Sequence, residues 1–133
     1  MSQENVELVM SLIEAVAQRD LARLIELTDP EVEWHSFIAE LGEGGVYRGH
    51  DGIRRYVSDL NESLDVLRLH PDDALAVGQV VLLVGQLETR GRDSGVETTL
   101  PSGYVARFRG GKVVQMRAFR EPEQALEAVG LSE

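Results

Sequence analysis

The stretch from Val96 to Glu121 constrains the fold more than any other part of the chain, because it predicts two strands that meet at Gly110-Gly111. Within each strand apolar and polar residues alternate, as expected of a strand with one buried face. The buried face of this hairpin carries, in chain order, Tyr104, Ala106, Phe108, Val114, Met116, Ala118 and Arg120. A phenol and a guanidinium on an otherwise apolar surface make this face a candidate wall of a binding pocket.

The turn of the hairpin decides which side chains meet. A bare two-residue turn would set Tyr104 opposite Arg117 and join an apolar face to a polar one. A three-residue loop from Arg109 to Gly111, with Gly111 left-handed and forming a bulge, sets Tyr104 opposite Met116 instead. We predict the bulged loop, because a slip of one residue would turn every side chain to the other face.

The length and the residue content limit the kinds of site that this chain can carry. Its 133 residues predict one domain over residues 1–133, with a core large enough to fold without disulfides. The absence of cysteine excludes disulfides and thiolate metal sites. His35, His50 and His70 have no metal-ligand spacing such as His-x-x-x-His. We therefore expect neither a metal nor another cofactor.

The net charge bears on the partners. A formal charge of −10 at pH 7 repels phosphate backbones and anionic lipid, so neither nucleic acid nor a membrane surface is an expected partner. The longest apolar run, Val80 to Val84, is too short to span a membrane, and no signal-peptide pattern opens the chain. We expect a cytoplasmic protein.

Upstream of the hairpin the pattern predicts three helices and three further strands. The helices begin at the potential capping residues Ser2, Asp20 and Asp51, and a fourth helix, Glu123–Val129, follows Pro122. The strands are Glu31–Ile38, Val66–Val77 and Val80–Thr89, with a bend of an edge strand at Pro71-Asp72-Asp73 and a turn at Gly78-Gln79. The glycine-bearing segment Leu41–Gly49 predicts a mobile flap. The order indicates an α+β fold with a curved, mostly antiparallel sheet.

The centre of the Val80–Thr89 strand is apolar on both faces. Helices would cover one face, and a second copy of the chain is a candidate cover for the other. We therefore expect a homodimer that forms through the open face of the sheet.

Several strings resemble the SnoaL-like group of the nuclear-transport-factor-2-like superfamily, which is related to polyketide cyclases and ketosteroid isomerases. They are Asp29-Pro30-Glu31-Val32-Glu33-Trp34, Tyr47-Arg48-Gly49-His50-Asp51-Gly52-Ile53, Ser94-Gly95-Val96-Glu97 and Gly111-Lys112-Val113-Val114. The resemblance covers almost the whole chain. It implies a cone-shaped roll, in which the sheet wraps over three N-terminal helices and a short C-terminal helix follows.

The resemblance is less specific for chemistry, because one pocket hosts many activities in this superfamily. In ketosteroid isomerases a proton-shuttling carboxylate follows a Val-Glu pair on the first strand, and Trp34 stands there in this chain. Their tyrosine donor on the first helix falls near Leu12, and their second oxyanion donor falls at Tyr104. The resemblance therefore implies a pocket that lacks the isomerase base.

Each candidate site residue has a structural alternative. Trp34 is either a wall for a planar ligand or a core anchor, and Tyr104 bonds either a ligand or another protein group. Tyr47 and Tyr56 either rim the mouth or pack in the core. Arg120 binds either a substrate oxygen or a nearby glutamate, and His35 is a weak candidate base on the face opposite Trp34.

Three functions are compatible with this pattern. The first is a pocket protein for a small apolar or aromatic metabolite, with a binding site formed by Trp34, Tyr47, Tyr56, Tyr104, Met116, Ala118 and Arg120. The second is an acid-base enzyme acting on a ketone-like or polyketide-like substrate, with Tyr104, Arg120 and His35 as candidate catalytic groups. The third is a non-catalytic, dimeric interaction module.

Overall fold

The computed structural model describes residues 2–36 and 45–130, and within these ranges the chain forms four helices and one six-stranded sheet. The helices are α1 (Ser2–Gln18), α2 (Leu21–Leu27), α3 (Gly49–Ser63) and α4 (Pro122–Ala128). The strands are β1 (Thr28–His35), β2 (Val46–Arg48), β3 (Leu64–Val77), β4 (Val80–Gly91), β5 (Glu97–Arg109) and β6 (Lys112–Phe119). The sheet order is β2-β1-β6-β5-β4-β3, and only β1 and β6 run parallel to each other. This α+β arrangement confirms the predicted fold class.

The main core lies between one face of the sheet and the helices α1, α2 and α3. Spacing along α1 predicts a buried stripe of Val6, Val9, Met10, Ile13, Val16 and Ala17. Val9 and Val16 are buried as predicted, but Leu12 is fully buried and Met10 is 38% exposed, so the buried face is rotated from the predicted one. Val32 of β1 and Val113 of β6 are fully buried in the same core. Burial of these side chains is the main stabilisation that holds the helices on the sheet.

The opposite face of the sheet carries a second, smaller core under α4. Leu82 and Val105, on neighbouring strands, and Ala125 of α4 form this cluster. The two-sided burial predicted for the β4 centre is therefore present, but at Leu82 the second cover is α4 of the same chain. That burial does not require a partner subunit.

The hairpin register differs from the prediction. Gly110 and Gly111 form a two-residue turn with φ angles of 59° and 78°, and Arg109 is paired with Lys112. The bulge lies inside β6 at Val114, between the Arg107↔Gln115 and Phe108↔Val113 pairs. The prediction that Tyr104 faces Met116 is therefore wrong, since Tyr104 is opposite Ala118.

The bulge still produces the continuous apolar face for which the predicted loop was chosen. It shifts the register by one residue inside the strand, so that Met116 and Ala118 share a face with Tyr104. The bulge also changes which of two neighbouring valines is buried. The sequence pattern placed Val114 on the buried face, but Val113 is buried in the core and Val114 is only half-buried.

The helix and strand ends agree with the sequence in part. Asp20 caps α2 through a 3.1 Å bond from Arg23 N, the β3 irregularity lies between Pro71 and Asp73, and β3 is an edge strand. Asp51 does not cap α3, because the helix begins at Gly49 and the cap position is Arg48. β1 begins three residues earlier than predicted, at Thr28.

The predicted flap at Leu41–Gly49 is described only from residue 45 onward. Residues 46–48 form β2, an antiparallel edge strand beside β1 that the sequence pattern does not predict. Residues 41–44 lie outside the described ranges. No helix in the described ranges is long and apolar enough to cross a membrane.

Candidate functional site

A cavity lies between the helical layer and the sheet, on the face that carries Tyr104. Its walls come from α1, α3, β1 and the strands β3 to β6, and the lining residues are Ile13, Val16, Trp34, His35, Ser36, Tyr56, Leu67, Leu69, Leu87, Tyr104, Met116 and Ala118. The cavity volume is about 40 Å³, and the cavity is partly open to solvent. The cavity is therefore narrow.

One wall of the cavity is aromatic. The ring centroids of Trp34 and Tyr56 are 5.1 Å apart, with an angle of 42° between the planes. Trp34 is also the residue of β1 that lies beside Met116 of β6 in the parallel pairing. The β1–β6 pairing thus brings an indole and a thioether from distant parts of the sequence into one wall.

Two phenols lie in this apolar space, that of the buried Tyr56 and that of the half-buried Tyr104. Burial raises the pKa of Tyr56, and the neighbouring Tyr104 raises it further, while hydrogen bonds with Trp34 and Ser36 act in the opposite direction. Burial also raises the pKa of Tyr104, and a hydrogen bond with Ser102 opposes the shift. Both phenols therefore stay protonated at neutral pH and can donate hydrogen bonds.

Tyr47 is placed behind this wall and is not among the lining residues. Its ring packs edge-on against Tyr56, with 5.3 Å between centroids, and its hydroxyl donates to Asp59 Oδ2 at 2.6 Å. The Arg55 guanidinium lies 5.6 Å from the Tyr47 ring centroid. Burial and the Asp59 bond raise the pKa of Tyr47 to about 12. Tyr47 therefore packs behind Tyr56, and only Tyr56 of the two lines the cavity.

The two remaining candidates lie at or beyond the margin. His35 borders the cavity, but its Nε2 is 3.5 Å from Glu33 Oε1, on the face of β1 opposite Trp34. Arg120 follows the end of β6, is exposed, and is not among the lining residues. Of the predicted site residues, the structure brings together Trp34, Tyr56, Tyr104, Met116 and Ala118.

The lining also contains residues that the sequence reasoning did not place in a site. Ser36 contributes a hydroxyl, and the aliphatic part comes from Ile13, Val16, Leu67, Leu69 and Leu87. Helical spacing marks the two α1 residues as buried, but spacing does not distinguish a core position from a cavity wall. Leu12, the position of the helix-one donor in ketosteroid isomerases, is fully buried in the core.

Acidic groups and potential metal ligands are placed elsewhere. Among the described lining residues there is no aspartate, glutamate, lysine or arginine. Across residues 2–36 and 45–130, no group of three or more histidine, aspartate or glutamate side chains is arranged to hold a metal ion. Within the described part of the chain, the cavity therefore offers hydrogen bonds from neutral groups and a large apolar surface.

Solved structures with the same fold are numerous. An NTF2-like protein of unknown function from Burkholderia pseudomallei superposes with a TM-score of 0.78 at 24% identity, over 96% of this chain and 98% of that one. TerC, co-crystallised with polyporic acid, gives 0.77 at 24% identity, over 95% and 98%. A putative SnoaL-like polyketide cyclase from Shewanella putrefaciens gives 0.75 at 14% identity, over 96% of each chain. At these identities the likeness shows the fold.

No curated protein matches the chain. The model of one family, described as SnoaL-like domain, matches residues 9–116, from the first helix to the cavity wall on β6. That match covers most of the sequence, and the fold and cavity agree with it. The chain therefore belongs to the SnoaL-like domain family.

Proposed function

We propose that this protein binds a small, uncharged, mainly apolar or aromatic metabolite in the cavity, through an oxygen atom that accepts a hydrogen bond. The observation that carries the proposal is the combination of two protonated phenols, Tyr56 and Tyr104, with an indole in a mainly apolar lining that holds no carboxylate, lysine or arginine among the described residues. Pockets of this kind orient a ligand with few polar groups and bind it through apolar area.

The lining also supports the choice of an uncharged ligand. A carboxylate or an ammonium moved into this space would lose its hydration, and no charged side chain among the described lining residues would replace it. A carbonyl or ether oxygen loses far less on desolvation and accepts directly from a phenol. The chemistry of the walls thus favours ketones, quinones and similar neutral oxygen compounds.

The chain provides its own reporter for a binding test, because Trp34 is its single tryptophan and lies in the cavity wall. We expect saturable changes in tryptophan emission on titration with neutral aromatic ketones and quinones, and matching heats by calorimetry with the same compounds. Absence of saturable binding across this panel would contradict the proposal.

A matched pair of variants locates the binding. Ala118→Leu adds bulk inside the cavity and is expected to weaken binding at least tenfold. Ala22→Leu makes the same change at an exposed position of α2 and should leave the affinity unchanged. Equal affinities for the two variants would place the ligand outside the cavity.

An acid-base enzyme is the second candidate, favoured by two phenol donors on one apolar space. Such donors stabilise a developing oxyanion without ionising themselves. The base would have to be His35 at the margin or a carboxylate from outside the described ranges, such as Glu40 or Glu43. With a substrate in hand, Tyr104→Phe should abolish turnover if the protein is an enzyme, and should weaken binding only modestly if it is not.

A further inference from the structure

Beyond the cavity, the same face of the sheet continues as a strip that is buried near Tyr104 and becomes exposed from Leu100 outward. On β4 and β5 the cross-strand pairs on this face are Leu83↔Tyr104, Gly85↔Ser102, Leu87↔Leu100 and Thr89↔Thr98. This part of the pairing has no register shift, so all four pairs point to the side of the cavity. The strip therefore runs from the cavity wall along β5 toward its N-terminal end.

The two leucines of the third pair have very different environments. Leu87 lines the cavity and is 3% exposed, whereas Leu100 directly opposite is 49% exposed. Side chains paired in this way lie about 5 Å apart. Leu100 is thus a large apolar side chain left in solvent, one side chain away from the cavity lining.

The strip has a defined end. In the next pair outward, Thr89 and Thr98 hydrogen-bond to each other through their hydroxyls, so the face becomes polar there. Leu100 lies four positions before Tyr104, which at strand spacing is about 13 Å. Ser102, between them on the same face, is fully buried. An apolar group therefore has to leave the cavity beside Leu87, where it meets Leu100 directly opposite.

The small volume of the cavity favours a ligand that extends beyond it. A cavity volume of about 40 Å³ accommodates only a few water molecules, since one water needs roughly 10–15 Å³. A ligand of ordinary metabolite size that places an oxygen at the phenols must therefore extend toward the mouth unless the walls move apart.

We propose that the ligand is elongated, with its oxygen-bearing end at Tyr56 and Tyr104 and an apolar chain that packs along Leu87 onto Leu100. This inference rests on the proposed function and adds the shape of the ligand and a residue that determines specificity. Leu100 selects for chain length, and it does so from outside the cavity.

The test uses linear methyl ketones of increasing chain length, from butanone to undecanone, with binding followed by titration calorimetry. In the unaltered protein each added methylene should tighten binding by up to about fourfold, which corresponds to 0.8 kcal/mol. Leu100→Ser should weaken the longest ketones about three- to tenfold and leave the shortest unaffected, whereas Leu100→Phe should strengthen the longest ones.

Met10→Ser is the control, because Met10 is another exposed apolar residue, 38% exposed, on α1. It should leave the whole series unchanged. If the unaltered protein shows the chain-length dependence and Leu100→Ser retains it in full, the proposed path along Leu100 is wrong although the cavity binds. If Leu100→Ser changes the number of subunits in the assembly but keeps the dependence of affinity on chain length, the strip is a contact between subunits. That result would also overturn the inference. Failure of every ketone to bind would instead reject the proposed function.

Discussion

At the scale of single residues, the three tyrosines of the chain show how the same side chain takes different roles. Tyr56 and Tyr104 present their phenols to an apolar cavity, while the Tyr47 hydroxyl donates a hydrogen bond to Asp59. Burial is the first cause of the raised pKa in each of the three. A phenol whose pKa is higher in the folded protein than in the unfolded chain contributes to the free energy of unfolding while it is protonated. This contribution is lost when the phenol ionises.

Alkaline titration tests this point. The stabilisation is complete below the pKa of about 10 that the phenols have in the unfolded chain, and it declines as the pH rises toward the folded values. For Tyr47 that window reaches about pH 12. We expect the ultraviolet absorbance of the folded protein to show no phenolate step near pH 10, whereas the urea-unfolded protein shows all of it there. A step near pH 10 with a third of the amplitude would mean that one phenol is free.

Arg19 is a residue whose role its sequence context does not indicate. It follows α1 with a φ of 57°, a left-handed conformation that side chains other than glycine adopt at a cost. Its guanidinium donates to Val16 O, to Leu64 O and to Asn61 Oδ1, at 3.2, 3.1 and 3.2 Å. The side chain thus joins the end of α1 to α3 and to the start of β3.

Two substitutions separate the backbone contribution of Arg19 from that of its side chain. Arg19→Ala keeps the strained φ and loses the three bonds, so we expect a loss of about 2–3 kcal/mol in the free energy of unfolding. Arg19→Gly loses the same bonds but relieves the strain, and should be about 1 kcal/mol more stable than the alanine variant. Urea unfolding measures both. An alanine variant as stable as the glycine variant would show that the backbone conformation carries no strain.

At the scale of elements, α4 covers part of the outer face of the sheet, and its close packing there requires a glycine on β5. A Cβ at Gly103 would lie 2.7 Å from the Ala125 Cβ and 3.3 Å from the Pro122 Cα. The absence of a side chain on β5 therefore sets how closely α4 approaches. This contact, together with Leu82, covers the outer face at the centre of β4, which is the part of the apolar pattern that had suggested a partner subunit.

A substitution and its suppressor test this contact. Gly103→Ala should destabilise the protein by about 1–3 kcal/mol, because α4 has to move away from the sheet. Adding Ala125→Gly removes the atom with which the new methyl group collides, so part of the loss should return. The two effects are then non-additive, as expected of groups in contact. If Gly103→Ala costs the same with and without Ala125→Gly, the approach of α4 is not limited by that contact.

At the scale of the whole molecule, α4 leaves part of the outer sheet face uncovered. Leu75 of β3 shares that face with Leu82 and is 42% exposed. Arg117, also on the outer face, lies with its guanidinium 5.0 Å from the Phe119 ring centroid. We propose that a second copy of the chain covers this remainder, which keeps the predicted homodimer as a proposal of narrower extent.

Light scattering at micromolar concentration measures the subunit number directly. We expect twice the chain mass of 14.7 kDa for the unaltered protein and for Met10→Glu, whose change lies on α1. Leu75→Glu should give the single-chain mass, because a carboxylate placed in an apolar contact loses its hydration without a partner. A single-chain mass for the unaltered protein would reject the dimer.

The sequence by itself determined the fold class and most of the faces of the last hairpin, although Val114 and Arg120, assigned to its buried face, are half-buried and exposed. Alternation of apolar residues identifies a buried face whatever the register is, because neighbouring Cβ atoms point to opposite sides of a strand. Helical spacing did the same for α3 and, in part, for α1. For this reason Trp34, Tyr56, Tyr104, Met116 and Ala118 could be named as candidates and lie together in the structure.

Only the tertiary structure decided which buried residues line the cavity and which pack behind it. Tyr47 and Tyr56 look equivalent in sequence, but the Tyr47 hydroxyl donates a hydrogen bond to Asp59, twelve residues further along the chain. The bulge at Val114 and the cover of Leu82 by α4 likewise depend on contacts between separate segments. Local patterns report whether a side chain is buried, since burial follows its polarity. They do not report its neighbours, because packing is decided by the chain as a whole.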